Sequence, residues 1–118
     1  MGWEKELKNA LSATTITKTN ETLVLLFGEI MTDNYKSILK FLEKLLKIQP
    51  NNSYVLLALG KVCVNAKLWG RAKDYLEASV GLQKLPETYL ELAGLANIMQ
   101  DHKSANQYYK KGFLLDNY

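Results

Sequence analysis

One thiol and one imidazole are the natural candidates for chemistry in this chain. Cys63 is its single cysteine and His102 its single histidine. A thiolate beside an imidazole base is a nucleophile, provided that a third group orients the base. No such third residue accompanies this pair. Cys63 falls on the inner face of a helical stretch, where a buried, inert thiol is the simpler reading, and His102 falls at a turn, where it is solvated. The two residues also supply no cluster of the kind a metal needs. Glu87 and Glu91 lie four apart on one helix face, but two carboxylates at that spacing describe a wet surface. Gly60, Gly70, Gly81 and Gly94 never reach the spacing of a phosphate-binding loop, and none follows a strand. No catalytic residue, metal site or cofactor is therefore expected, and the chain reads as a non-enzyme.

The elements behind these residues carry more information. Leu56-x2-Leu59-Gly60-x2-Cys63 is followed, twelve residues after Gly60, by Ala72-x3-Leu76. Tyr89-x2-Leu92-Ala93-x2-Ala96 is followed, twelve residues after Ala93, by Ala105-x3-Tyr109. Small residues at fixed offsets inside two helical stretches per unit are the signature of the tetratricopeptide (TPR) helix-turn-helix repeat. The fold class expected is all-α: a right-handed α-solenoid of about three TPR hairpins plus a leading helix. The repeats span 19–52, 53–85 and 86–118. Residues 1–18 hold the leading helix, at 3–12, which is either the second helix of a truncated repeat or an N-terminal helix that caps the array. The first full repeat departs most from the pattern, with Leu26 and Ile38 where small residues are wanted.

Local chemistry sets the helix limits. Thr19 or Asn20 caps a helix ending near Met31, and Asp33 or Asn34 one that runs to about Ile48. Asn52 or Ser53 starts the next, which ends near Ala66. The fourth covers about Trp69 to Leu82. Pro86 suits the first turn of the fifth because its missing N–H would be unbonded there. Asp101, with Ser104 three residues on, opens the last, which runs to about Leu115. The short loops force antiparallel neighbours. Gly60 and Ala72 should then face each other across one hairpin, and Ala93 and Ala105 across the next.

Composition agrees with a folded interaction domain. At 118 residues, 47% of them apolar, the chain can bury one core. Its net charge of +3 is spread evenly, with seven Lys/Arg against six Asp/Glu in residues 1–50 and eight against six in residues 51–118. No basic arm marks a nucleic-acid binder. Helical repeats of this length do read RNA, but such readers line their groove with polar and basic groups. Here the inner-face residues Leu23, Phe27, Ile30, Tyr54, Leu57, Val64 and Leu90 are largely apolar, broken by Lys61, Asn65, Glu87 and Asn97. That face suits an amphipathic helix or extended peptide, although each of its side chains also has a competing role in packing one repeat on the next. The candidate groove is Leu23, Phe27, Tyr54, Leu57, Lys61, Asn65, Leu90 and Asn97, with Tyr54 and Asn65 foremost. The partner expected is a protein or peptide and not nucleic acid. A homodimer through an exposed leading helix is compatible with the sequence.

The run Leu56-Leu57-Ala58-Leu59-Gly60-Lys61-Val62-Cys63, then Leu68-Trp69-Gly70-Arg71-Ala72-Lys73-Asp74-Tyr75-Leu76-Glu77-Ala78-Ser79, then Pro86-Glu87-Thr88-Tyr89-Leu90-Glu91-Leu92-Ala93, goes beyond a generic repeat. It resembles the C-terminal TPR region of the HemY-type protohaem IX biogenesis proteins, and Lys47 to Asn52 fits the same pattern. The resemblance is looser over the rest of 19–118 and weak before Thr19. It implies a cytoplasmic TPR region of a bacterial inner-membrane protein, anchored by spanning segments absent from this chain. It also implies an association with the late haem-biosynthesis enzymes, without a catalytic motif to transfer. The charged clamp by which some TPR domains grip a carboxylate terminus is missing, since Leu23 and Phe27 stand where Lys and Asn would be needed. His102, Cys63, Met31 and Met99 are haem-ligand types, but no pairing among them is justified, so direct haem ligation is not expected.

Overall fold

The computed structural model describes residues 35–116. Five α-helices run through this span: α1 (Tyr35–Ile48), α2 (Ser53–Asn65), α3 (Trp69–Leu82), α4 (Pro86–Ile98) and α5 (His102–Asp116). No strand occurs among the described residues. The expected leading helix at 3–12, the helix of 19–31, and the groove candidates Leu23 and Phe27 lie outside them.

Each start has a local cause. The Asn52 side chain accepts from the Tyr54 and Val55 amides at 2.9 and 3.4 Å, two donors that the first turn of α2 leaves unbonded. Pro86 occupies the first turn of α4. Asp101 lies one residue outside α5, and its carboxylate accepts from the Ser104 amide at 3.2 Å. Hydrogen bonding from the Ser104 hydroxyl, and then from its amide, holds the Asp101 carboxyl below its ordinary range. α3 and α4 follow Leu68 and Leu85, which make no side-chain cap. Both leucines are instead spent on the core.

Consecutive helices pack on one another, α2 most closely with α3 and α4 with α5. α2 touches α4 as well, so the first helices of successive hairpins stack. α1 turns one stripe inward, made of Ile38, Leu39, Leu42 and Leu45. α2 is buried over most of its circumference, from Val55 through Cys63. Gly60 explains how close α3 can come: a Cβ there would lie 2.5 Å from Leu76 Cδ2, with the Ala72 carbonyl oxygen 3.6 Å away. A larger side chain at 60 would push α3 outward and cost about 1–3 kcal/mol. Gly112 does the same for α4 and α5, facing the Pro86 carbonyl and Tyr89 Cβ at 3.3 Å each. Tyr89 and Tyr108 stack across that hairpin with centroids 6.4 Å apart. Ala72, Ala93 and Ala105 are all fully buried.

Candidate interaction surface

Tyr54 sits in the first turn of α2, half-buried. It borders two open depressions. One, of about 480 Å³, is walled by Leu85, Pro86, Glu87 and Leu90 at the start of α4. The other, also about 480 Å³, runs past Gln49, Asn52 and Gln83. Leu90 is 47% exposed, an apolar side chain left open on the first helix of the last hairpin. Tyr54, Glu87 and Leu90 are thus brought around one shallow basin with an apolar floor and a charged edge.

Lys61 supplies the tie beneath it. Its ammonium donates to Glu87 Oε1 at 2.6 Å, joining α2 to α4. The lysine side chain is only 6% exposed while the glutamate is 43% exposed. A charge this buried must be paired. Lys61 therefore acts by fixing Glu87 at the surface rather than by meeting a ligand itself.

The remaining candidates separate. Leu57 is fully buried and belongs to the central core, so it has no surface to give a partner. The sequence placed it on the inner face, but α2 is enclosed on so many sides that its inner face and its core face merge. Asn65 and Asn97 are exposed at the C-terminal ends of α2 and α4, and neither lines the basin. Asn97 Oδ1 accepts from His102 Nδ1 at 2.9 Å. Gln83, Leu85 and Pro86 were not foreseen as lining. They lie in or beside the loop between hairpins, where helical periodicity carries no signal.

Chemistry beyond binding finds no foothold in the thiol. Cys63 is fully buried, and burial pushes it up to about 11; Arg71 pulls weakly the other way and Glu43 adds to the rise. It stays a neutral thiol at physiological pH. His102, expected at a turn, is the first residue of α5, exposed and engaged with Asn97. Among the described residues no group of three or more His, Cys, Asp or Glu is placed to hold a metal ion. None of the described helices is long and apolar enough to cross a membrane.

Antiparallel hairpins nested with glycine and alanine at the close approaches define a TPR-type α-solenoid. Solved MamA structures share this fold. MamA MSR-1 superposes with a TM-score of 0.70 at 22% identity, covering 94% of this chain and 64% of its own. MamA AMB-1 gives a TM-score of 0.68 at 23% identity, covering 94% and 61%. A single-residue mutant of MamA gives 0.68 at 22% identity, covering 92% and 80%. The chain spans less than two thirds of the MSR-1 and AMB-1 proteins. At this identity the likeness is one of fold. No protein-family model matches the chain, and no curated protein matches it in sequence.

Proposed function

We propose that this chain is a non-enzymatic interaction module that holds a protein segment against the first helices of its hairpins. The observation that carries the reading is the basin of Tyr54, Leu85, Pro86, Glu87 and Leu90, an open apolar floor with a fixed carboxylate at its rim. Tyrosine has a large apolar body and a polar tip, which suits a site that must release as well as hold. Asn65 and Asn97 extend the surface toward the far ends of α2 and α4. In the proposal Leu23 and Phe27 continue it over the first repeat.

The partner we propose comes from the resemblance to the HemY-type proteins: the late enzymes of haem biosynthesis, scaffolded at the cytoplasmic face of a bacterial inner membrane by a longer protein of which this chain is part. The stretch from Leu68 to Ser79, with Lys47 to Asn52, supports that reading. The test is chemical cross-linking of the full-length protein in its own membrane, read by mass spectrometry. Cross-links to a haem-biosynthesis enzyme, lost when Tyr54→Ala is combined with Asn65→Ala, are the expected result. Cross-links to an unrelated protein, lost in the same double variant, would keep the groove and remove the haem assignment. Capture unchanged in the double variant would remove the groove.

A further inference from the structure

α3 and α5 are the second helices of consecutive hairpins, so their residues correspond at a step of 33. On α3, Leu76 is fully buried and Val80 is packed against the core. α4 closes over that side, its Thr88 hydroxyl 3.3 Å from Ser79. On α5 the corresponding residues are Tyr109 and Phe113, which are 42% and 64% exposed. Larger side chains thus stand in the matching places with far less cover. Spaced four apart, they form one stripe along the helix.

The edge of this stripe is charged, and its sign is informative. Glu43 on α1 meets Arg71 on α3 at 2.6 Å, so an ion pair ties neighbouring second helices together. A step of 34 carries Glu43 to Glu77, and a step of 33 carries Glu77 to Lys110. Lys110 therefore stands on α5 where Glu43 stands on α1, with the charge inverted. Lys103, seven residues earlier and also exposed, lies two turns up the same edge. A helix bearing carboxylates fits this edge. A second copy docked α5 against α5 brings like charges together and is disfavoured.

We propose that the Tyr109–Phe113 stripe of α5, edged by Lys103 and Lys110, is a docking face for an acidic amphipathic helix of another protein, bordering the Leu90 end of the basin, where Leu90 Cδ2 lies 3.8 Å from the place of a Gly112 Cβ. The occupant continues the stack as α4 continues it over α3. Its apolar stripe covers the two aromatic rings, and its carboxylates meet the two lysines.

The probe is a helix-stapled peptide of the α4 sequence Pro86–Ile98, which carries Glu87 and Glu91 and no basic residue. It is titrated into the isotope-labelled 118-residue chain and followed by amide chemical shifts. Saturable binding is expected with a Kd below about 500 μM, with shifts gathered on α5 between Asn106 and Phe113. A peptide with both glutamates replaced by lysine should bind at least about tenfold more weakly, and Phe113→Ala should weaken the original peptide by a similar factor. The double variant Lys103→Glu with Lys110→Glu should reverse the preference between the two peptides. Four results overturn the proposal: no binding up to about 2 mM, equal binding of the two peptides, shifts confined to Tyr54 and Leu90, or self-association of the chain abolished by Phe113→Ala. Failure here leaves the basin reading untouched, because the basin is also read at Tyr54 on α2 and Glu87 in the first turn of α4.

Discussion

Ser79 shows how a single hydroxyl group can join two hairpins. Its Oγ lies 2.8 Å from the Ser53 carbonyl, which can only accept, so the Ser79 proton points there. The Thr88 hydroxyl, 3.3 Å from Ser79, is then the donor in the second bond. Both hydroxyls are fully buried. Ser79→Ala removes one donor and strands another, and should cost about 1–3 kcal/mol. Thr88→Val keeps the shape and leaves Ser79 bonded to the carbonyl, so it should cost less than about 1 kcal/mol. Urea unfolding of the two variants checks the order, and a larger loss in Thr88→Val would contradict this hydrogen-bond direction. The sequence showed Ser79 only as the end of the Leu68–Ser79 stretch that carries the resemblance. It carried no sign of the hydroxyl pair, because Thr88 meets Ser79 only after the hairpins stack. Cys63 was legible as a buried thiol, and its burial has a consequence in alkali. The unfolded thiol loses its proton near pH 9.0 and the folded one only near about 11. Between these values deprotonation favours the unfolded chain, so stability should fall as pH rises through that window. At about 1.4 kcal/mol per unit the loss is about 2–3 kcal/mol. Cys63→Ala should lack this part of the alkaline decline, and identical pH profiles for the two proteins would refute the assignment.

At the scale of the helix, the ends read from the sequence fall within one residue of those observed at Ile48, Asn65, Leu82 and Asp116, but the starts show their chemical cause more openly. Asn52, Pro86 and Asp101 are residues with a side-chain or ring reason to begin a helix, and each stands at the start of one. The ends of α2 and α4 use a turn whose usual marker is glycine, and here no glycine is present. After α2 the Leu68 amide reaches the Cys63 carbonyl at 2.8 Å and the Lys67 amide reaches Val64 at 3.0 Å. After α4 the Asp101 amide reaches Ala96 at 2.8 Å and the Gln100 amide reaches Asn97 at 3.0 Å. These are paired Schellman closures. Each requires a left-handed residue, met by Lys67 and Gln100, both at φ 62°. The strain is repeated one unit apart, which makes it a property of the hairpin rather than an accident of one loop. Lys67→Gly and Gln100→Gly should each stabilise by about 0.5–1 kcal/mol, after the greater freedom that glycine gives the unfolded chain is counted. Thermal unfolding tests this, and a lowered midpoint in both variants would contradict it.

At the scale of the whole array, the repeat spacing foretold the nesting because close approach has a strict steric demand. Gly60 and Gly112 stand where a Cβ would meet the opposite helix, and only small residues satisfy that. The binding surface was less legible. An apolar residue on α2 either faces a groove or packs in the core, and a helix covered by neighbours on several sides gives both the same period. Leu57 went to the core, Tyr54 stayed at the rim, and Lys61 was turned into a strut for Glu87. Leu85 and Pro86 joined the basin from a loop whose course depends on how one hairpin leans on the next. The central claim, that the Tyr54–Leu90 face holds a protein partner, is tested most directly by photo-cross-linking. A photoreactive amino acid is placed at Tyr54, at Leu90, or at Asp74 on the exposed side of α3, in the full-length protein in its own cells. Tyr54 and Leu90 should yield adducts with one and the same protein, and Asp74 should not. Adducts from Tyr54 and Leu90 no more abundant than those from Asp74, or adducts with nucleic acid in their place, would contradict it.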